Sequence, residues 1–257
     1  MTSDLEYYDR LKNLNIPNSV AIILDGNGRW AQKRNLPREL GHKAGCDTLE
    51  EIIDYASKVG IKYLTVYAFS TENWKRSKEE IDALFRLFKL YVPIIIKNAH
   101  KNNSRCLIIG DLSKFSKEMQ DTCKMLMEET KSGTNMIFTM ALNYGGRDEI
   151  IRAIKKLFID KINKHGNKEW TSDDLNNLDI TEDVFKNYLD TNLIPDPDLL
   201  IRTSGEMRLS NFMPWQLAYT EFYMPDTLWP DFHKEELVKA IESYNNRDRR
   251  FGGRNNG

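Results

Sequence analysis

Cysteine is scarce in this chain: Cys46, Cys106 and Cys123 are the three in 257 residues, and no two stand in CxxC spacing. An odd, scattered set argues against a disulfide framework and against a structural zinc site, and favours a reducing compartment, expected to be the cytoplasm. The four histidines are equally dispersed. Long apolar runs are missing too. The stretch YVPIII (91–96) is far short of the roughly 20 residues a membrane-spanning helix needs, and the opening MTSDLEYYDRLKNLN has no apolar signal region. Charge of one sign is not in excess. A formal net charge of −1 leaves no global basic field, so no nucleic-acid partner is expected and any basic site must be local. No P-loop is present, and the GNGR segment does not complete a GxGxxG fingerprint, so ATP and NAD lose their usual support.

What is there alternates. SVAIIL (19–24), IKYLTVYAF (61–69), CLIIG (106–110), MIFTMALNY (136–144), LLIR (199–202) and EFYM (221–224) read as buried strands, short and bounded by turn residues. Between them lie helical patterns. Leu49, Ile52, Ile53, Ala56 and Val59 share one face, and Gly60 is placed to stop that helix. Ser77 to Glu80 has capping-box spacing and opens a long helix through Ile81, Leu84, Phe85, Leu87, Phe88 and Tyr91, which Pro93 is expected to bend or break. Further helices are expected around 115–130, 147–164 and 232–246, with short helices, among them 183–189, inside a connecting excursion (165–198). Strand and helix alternate at βαβ spacing. The expectation is a single α/β domain over 1–257: a mostly parallel sheet flanked by helices, with a polar tail at 1–18 and a basic tail at 247–257.

Ligands of an open α/β sheet sit beyond the carboxyl ends of its strands. The residues following each strand therefore form the candidate site. After the first come Asp25, Gly26, Asn27, Gly28, Arg29 and Trp30, with Arg38 and His42 shortly beyond. Ser70, Glu72, Asn73, Trp74 and Arg76 follow the second, and Asn143 to Arg147 the fourth. Arg202, Arg208 and Ser210 follow the fifth. Guanidinium forks beside bare glycine backbone suit phosphate or diphosphate oxygens. Asp25, a carboxylate amid these arginines, is better explained as a magnesium ligand. DGNG alone is most often a turn, but four separate turns would not all be expected to carry arginine. The broad apolar face of the 81–96 helix is either buried on more than one side or partly the lining of a hydrocarbon pocket.

The segments AIILDGNGRWA, GHKAG, YAFSTENWKR, NYGGR, DLLIRTSGEMRLSNFMPWQLAYTEFY, LWPDF and RDRRFGG together resemble the cis-prenyltransferase family, in particular bacterial undecaprenyl diphosphate synthases, in order from about residue 19 to 253. The resemblance implies stepwise addition of isopentenyl diphosphate to an allylic diphosphate, usually farnesyl diphosphate, with new double bonds in cis geometry and an apolar tunnel for the growing chain. It implies Mg²⁺ at Asp25 and Glu221. It gives the allylic diphosphate to Gly26, Asn27, Gly28, Arg29 and Arg38, with Trp30 and His42 as neighbours. Arg202, Arg208 and Ser210 would hold isopentenyl diphosphate, while Asn73 and Arg76 align the two substrates beside Ser70, Glu72 and Trp74. The proton acceptor stays open between Asn73, Ser70 and a diphosphate oxygen. The Arg250-Phe251-Gly252 tail resembles one that, in relatives, reaches the neighbouring subunit, so Arg250 and Gly252 join the substrate set and a homodimer is implied. Membrane contact is expected only peripherally, through a lipid product. Met207 departs from the histidine of some relatives, and a thioether is a poor Mg²⁺ ligand, so no role passes to it. The trans-synthase motif DDxxD is absent. A non-catalytic partner subunit would be expected to lack Asp25 and Arg29, and a nucleotide-binding module would need ribose or base contacts that no residue here suggests.

Overall fold

A computed structural model describes residues 4–166 and 169–247. Six strands make one sheet: β1 (Ser19–Ile23), β2 (Tyr63–Ser70), β3 (Ser104–Ile109), β4 (Met136–Tyr144), β5 (Leu199–Arg202) and β6 (Glu221–Tyr223). Their spatial order is β3-β4-β2-β1-β5-β6, and every pair is parallel. The helices are α1 (Asp4–Leu11), α2 (Asn27–Lys33), α3 (Arg38–Val59), α4 (Lys78–Lys101), α5 (Lys117–Glu129), α6 (Gly146–His165), α7 (Ser172–Asn176), α8 (Glu182–Lys186) and α9 (Lys234–Asn245).

A parallel sheet has to bury both faces, which is why its strands are apolar without a polar side. Along β1, Val20 and Ile22 join the large core built with α3, α4, α5 and α9. Ala21 and Ile23 point the other way, toward Leu200, Phe212 and Met213. Chain order reverses on either side of β1, with β2 and β5 as its neighbours. The crevice of such a sheet opens at that reversal, and Asp25 sits two residues beyond the end of β1.

Two local expectations give way to packing. Pro93 does not end its helix: α4 runs through it to Lys101. The proline is solvent-exposed, so water can serve the carbonyl whose partner N–H it lacks. The polar start of the chain is partly ordered as α1, whose Arg10 grips Glu242 of α9 with two hydrogen bonds of 2.9 and 2.7 Å. Leu11 is buried beneath it. The excursion after α6 holds short helices as expected, the one-turn α7 and α8, the latter over Glu182–Lys186 where 183–189 is expected.

A buried polar cluster fastens the far side of the sheet. Glu149, 1% exposed, accepts from Tyr144 Oη at 2.6 Å, Gln216 Nε2 at 3.0 Å and the Asp190 backbone N–H at 2.9 Å. Burial pushes its carboxyl above the ordinary range, against the pull of these donors. Glu149→Ala strands three buried donors, and is expected to lower unfolding free energy by about 3 kcal/mol or more in a denaturant titration. A change within error would show that water replaces the carboxylate.

Candidate functional site

The DGNGR segment is not a free turn. Gly26 adopts φ 115°, a left-handed value that only glycine takes at no steric cost, and α2 begins at once with Asn27. The first N–H groups of a helix have no partner within it, so bare backbone donors face the end of β1. Helix α3 explains GHKAG. A Cβ on Gly41 would lie 2.1 Å from the Asn27 carbonyl oxygen, and one on Gly45 would lie 2.4 Å from Asn27 Oδ1. These glycines let α3 pass directly against the start of α2. Gly41→Ala is therefore expected to cost roughly 1–3 kcal/mol, read as a lowered melting temperature, with a loss of activity.

Asp25 is the hub of the mouth. Its Oδ1 accepts from Arg29 Nη2 at 3.1 Å and its Oδ2 from Arg202 Nη2 at 3.0 Å. Burial works to raise the Asp25 carboxyl, but the bonds from Arg202 and Arg29 prevail and hold it below the ordinary range. Arg202, 3% exposed, also donates to Ser210 Oγ at 2.8 Å and to the Arg208 carbonyl. Arg29 reaches Ser204 Oγ at 2.7 Å and Glu206 Oε1 at 3.0 Å. Arg208 pairs with Glu206. The loop carrying these groups is tightly wound. Four of the seven described non-glycine residues with positive φ lie in it: Ser204, Ser210, Asn211 and Met213.

A second cluster gathers on Glu80, which the sequence suggests only as a helix cap. Ser77 accepts from the Glu80 N–H as a cap should. The Glu80 side chain instead takes Arg38 Nη1 and Arg76 Nη1, each at 3.0 Å, with His42 Nε2 at 3.6 Å. One carboxylate thus holds together two arginines expected to meet the diphosphates, with His42 beside them. Burial and the Arg76 charge lower the His42 pKa despite Glu80, so the imidazole is neutral near pH 7. Asn27 Oδ1, His42 Nε2 and Arg202 Nε are buried without a hydrogen-bond partner. Buried polar atoms left without a protein partner in one crevice are where water, an ion or a polar ligand completes the hydrogen bonding.

From this mouth one cavity of about 330 Å³ leads inward. Asp25, Asn27, His42, Ser70, Asn73, Arg76, Arg202 and Ser210 line its entrance. Its body is hydrocarbon: Leu49 and Ile53 of α3, Leu84, Phe85 and Phe88 of α4, and Phe138, Met140 and Leu142 of β4. Part of the α4 apolar face is therefore cavity wall. Cys46 and Cys106 also line it, and burial pushes both thiols up to about 11, so neither is ionised at neutral pH.

Other expected residues lie near the site but serve its frame. Trp30 Nε1 donates to Asp231 at 2.7 Å, with Arg34 stacked 4.2 Å above the indole. Trp74 packs among Phe69, Phe85 and Phe115 and donates to Asn143 Oδ1 at 2.7 Å. Glu72 accepts from Asn211 at 3.1 Å. Asn73 Oδ1 accepts from the Ser70 N–H at 3.0 Å, which fixes the turn after β2. The glycines of NYGGR are packing devices, since a Cβ on Gly146 would fall 1.9 Å from Pro214. Arg147 is exposed.

Glu221 is not brought to Asp25. It opens β6 opposite Leu199, which lies opposite Val20, so it stands at the amino edge of the sheet. Five residues of strand separate that level from Asp25, roughly 16 Å. Its carboxylate pairs with Arg247 at 2.8 Å. Met207 is 84% exposed. Arg250 and Gly252 lie outside the described residues.

Comparison with known proteins agrees with this geometry. The family model described as "Putative undecaprenyl diphosphate synthase" matches residues 23–252. An isoprenyl transferase of Clostridium tetani is 52% identical over 239 residues, covering 93% of this chain and 90% of that one. One from Fusobacterium nucleatum is 48% identical, covering 93% and 97%. The crystal structure of lavandulyl diphosphate synthase from Lavandula x intermedia, in complex with dimethylallyl diphosphate, superposes with a TM-score of 0.85 at 37% identity, covering 92% of this chain and 98% of that one. A probable undecaprenyl diphosphate synthase from Campylobacter jejuni gives 0.75 at 33% identity, covering 93% and 100%. Sequence, backbone and the placement of the arginines converge on one assignment: the chain belongs to the undecaprenyl diphosphate synthase family of cis-prenyltransferases and is a prenyl-transferring enzyme.

Proposed function

We propose that the chain condenses isopentenyl diphosphate repeatedly onto farnesyl diphosphate, with Mg²⁺, to give a long-chain polyprenyl diphosphate of the undecaprenyl type. The observation that carries this reading is the single cavity with a cationic mouth and a hydrocarbon body. A diphosphate ester with an isoprenoid tail matches both ends. Arg38, Arg76 and the start of α2 would take the allylic diphosphate, and Arg202, Arg208 and Ser210 the isopentenyl diphosphate. Fixing both in register supplies much of the rate through orientation. In each cycle the allylic C–O bond breaks, a C–C bond forms to the isopentenyl double bond, and a proton leaves the condensed cation.

The mouth suits a magnesium ion. It offers the Asp25 carboxylate and the unpartnered amide oxygen of Asn27, and Mg²⁺ takes one or two carboxylates and completes its shell with phosphate oxygens and water. Among the described residues no group of three or more His, Cys, Asp or Glu is gathered for a metal, so the ion would share its shell with substrate. Bound there, it supplies positive charge to the departing diphosphate. Within one chain Asp25, and not Glu221, reaches that position.

A homodimer is part of the proposal. Helix α6 buries one face through Ala153 and Leu157, yet its outer face carries Ile151, Ile154, Phe158 and Ile162, 38–53% exposed. An apolar stripe of that length suits a second copy of the chain. Replacing Ile154 and Phe158 together by lysine is expected to halve the mass measured by light scattering. Among the described residues no helix is long and apolar enough to cross a membrane, and contact with a bilayer is proposed only through the lipid product.

Cavity size favours a second reading of product length. An apolar cavity of about 150 Å³ holds one benzene, so this one holds on the order of 13 carbons, close to the allylic primer. A shorter-chain product fits the closed cavity. Against this, each added five-carbon unit brings about 4 kcal/mol of apolar burial, enough to part weak side-chain contacts. The test is incubation with farnesyl diphosphate, labelled isopentenyl diphosphate and Mg²⁺, followed by sizing of products. Absence of any labelled lipid from the folded chain would refute the elongase reading.

A further inference from the structure

The cavity wall is not uniform. On one side stands β4, hydrogen-bonded to β2 and β3 along its length, which cannot part without breaking the sheet. At the inner end the buried Ala99, Ser104 and Cys106 close it. The remaining wall is the seam where α3 and α4 run side by side in the same direction. A row of side-chain contacts ties that seam. Arg86 lies 3.9 Å from Glu39, Tyr91 Oη donates to Asp47, Asn98 Nδ2 donates to Glu50 at 2.8 Å, and Asn102 Nδ2 donates to Asp54 at 3.1 Å. In each the carboxylate comes from α3 and the donor from α4 or, for Asn102, from its C-cap. Glu50, Tyr91 and Asn98 also line the cavity, so these ties are part of its wall. Leu90, beside them, is 67% exposed.

We propose that the Asp47–Tyr91 and Glu50–Asn98 ties determine product length, by resisting the separation of α3 and α4 that a chain longer than the primer requires. The inference rests on the elongase reading. The closed cavity holds on the order of 13 carbons, and each condensation occurs at the mouth, so the tail is driven inward by one unit per cycle. Neither the sheet nor the closed end yields. The seam yields because its bonds join half-exposed side chains whose lost partners water replaces. Elongation ends when the strain of parting the seam matches the gain from burying another unit. Tyr91 and Asn98 are positioning residues in this account, setting how far α4 moves.

The test is a product-length series in the elongation assay. Tyr91→Phe combined with Asn98→Ala is expected to shift the distribution to longer products by at least one isoprenoid unit. The ratio of long to short products is read, and it does not depend on total turnover. In a Cys46→Ser background, Asp47→Cys with Tyr91→Cys allows the helices to be bridged by a short bifunctional thiol reagent with a reducible spacer. The bridged protein is expected to lose all products beyond the second addition, and reduction is expected to restore them. An unchanged distribution in the first variant, or equal products before and after bridging, would overturn the proposal. The unmodified chain distinguishes the two levels: no elongation there refutes the elongase reading, whereas elongation with indifferent product length refutes only the seam.

Discussion

Asp25→Ala is expected to lose nearly all turnover, on the order of a thousandfold or more, while circular dichroism and the elution volume stay those of the parent. The carboxylate receives hydrogen bonds from Arg29 and Arg202 at 3.1 and 3.0 Å. Removing it places two guanidinium groups side by side with nothing between them. The fold should survive because the site is open: the Asp25 side chain is 28% exposed, so water reaches the space left behind. Arg202 also keeps Ser210 and the Arg208 carbonyl. What cannot be replaced is the fixed negative charge that orients both arginines and would anchor the metal. Asp25→Asn separates these roles, because an amide keeps the shape and loses the charge. Turnover close to that of the parent in either variant, with the same Mg²⁺ dependence, would rule out the metal role.

The pH profile follows from the same contacts. The folded-state pKa of Asp25 is depressed, so the stability its ion pairs contribute is complete above the unfolded carboxylate value. It is lost as pH falls through the lower folded value. Activity limited by Asp25 should therefore persist below the ordinary carboxylate range. A decline near that range would assign the limiting acid elsewhere.

Much of this arrangement is legible in the sequence because short apolar runs between turn residues have few alternatives. The strand expected at 136–144 and that at 199–202 coincide with β4 and β5 residue for residue. The mostly parallel sheet expected from βαβ spacing is parallel in every pair, whereas the strand order that opens the crevice at β1 is set only by the folded chain. Where the reading fails, a residue has two uses and local rules see one. The close approach of Gly41 and Gly45 to Asn27 has no local signature, and only the folded chain shows why α3 carries glycine at both positions. Glu80 fits a capping box, but only a folded chain shows that Arg38, forty-two positions earlier, approaches it. Trp74 belongs to a motif that bears site residues, and its indole serves Asn143 inside that frame. Glu221 is instructive for the opposite reason. A strand beginning at Glu221 in a parallel sheet must place that residue at the amino edge, away from Asp25. The strand pattern already contained this separation within one chain.

Arg202 and Arg208 should separate by mutation although both are assigned to isopentenyl diphosphate. Arg208→Ala removes an exposed side chain, 60% accessible, whose partner is Glu206. Its expected effect is a raised apparent KM for isopentenyl diphosphate, with stability almost unchanged, as for other exposed ion pairs. Arg202→Ala is expected to be far more damaging. This guanidinium is buried and joins Asp25 after β1 to Ser210 in the tightly wound loop after β5. Deleting it leaves the Asp25 carboxylate paired on one side only and Ser210 without its link to Asp25, while Thr203 still ties the start of the loop to the first strand. Breaking a partly buried pair of this kind costs roughly 3 kcal/mol in structure, and loss of a donor aimed at the reacting charge costs a further hundredfold or more in turnover. The combined expectation is a fall in kcat/KM of on the order of a thousandfold or more for both substrates, against a selective defect for Arg208→Ala. Arg202→Lys sharpens the comparison. A lysine keeps the charge but cannot reach Asp25 and Ser210 together as the planar fork does, so it should recover stability before it recovers turnover. If Arg202→Ala impairs isopentenyl diphosphate alone and leaves the melting temperature unchanged, the residue is a simple substrate contact and does not couple the two diphosphate positions.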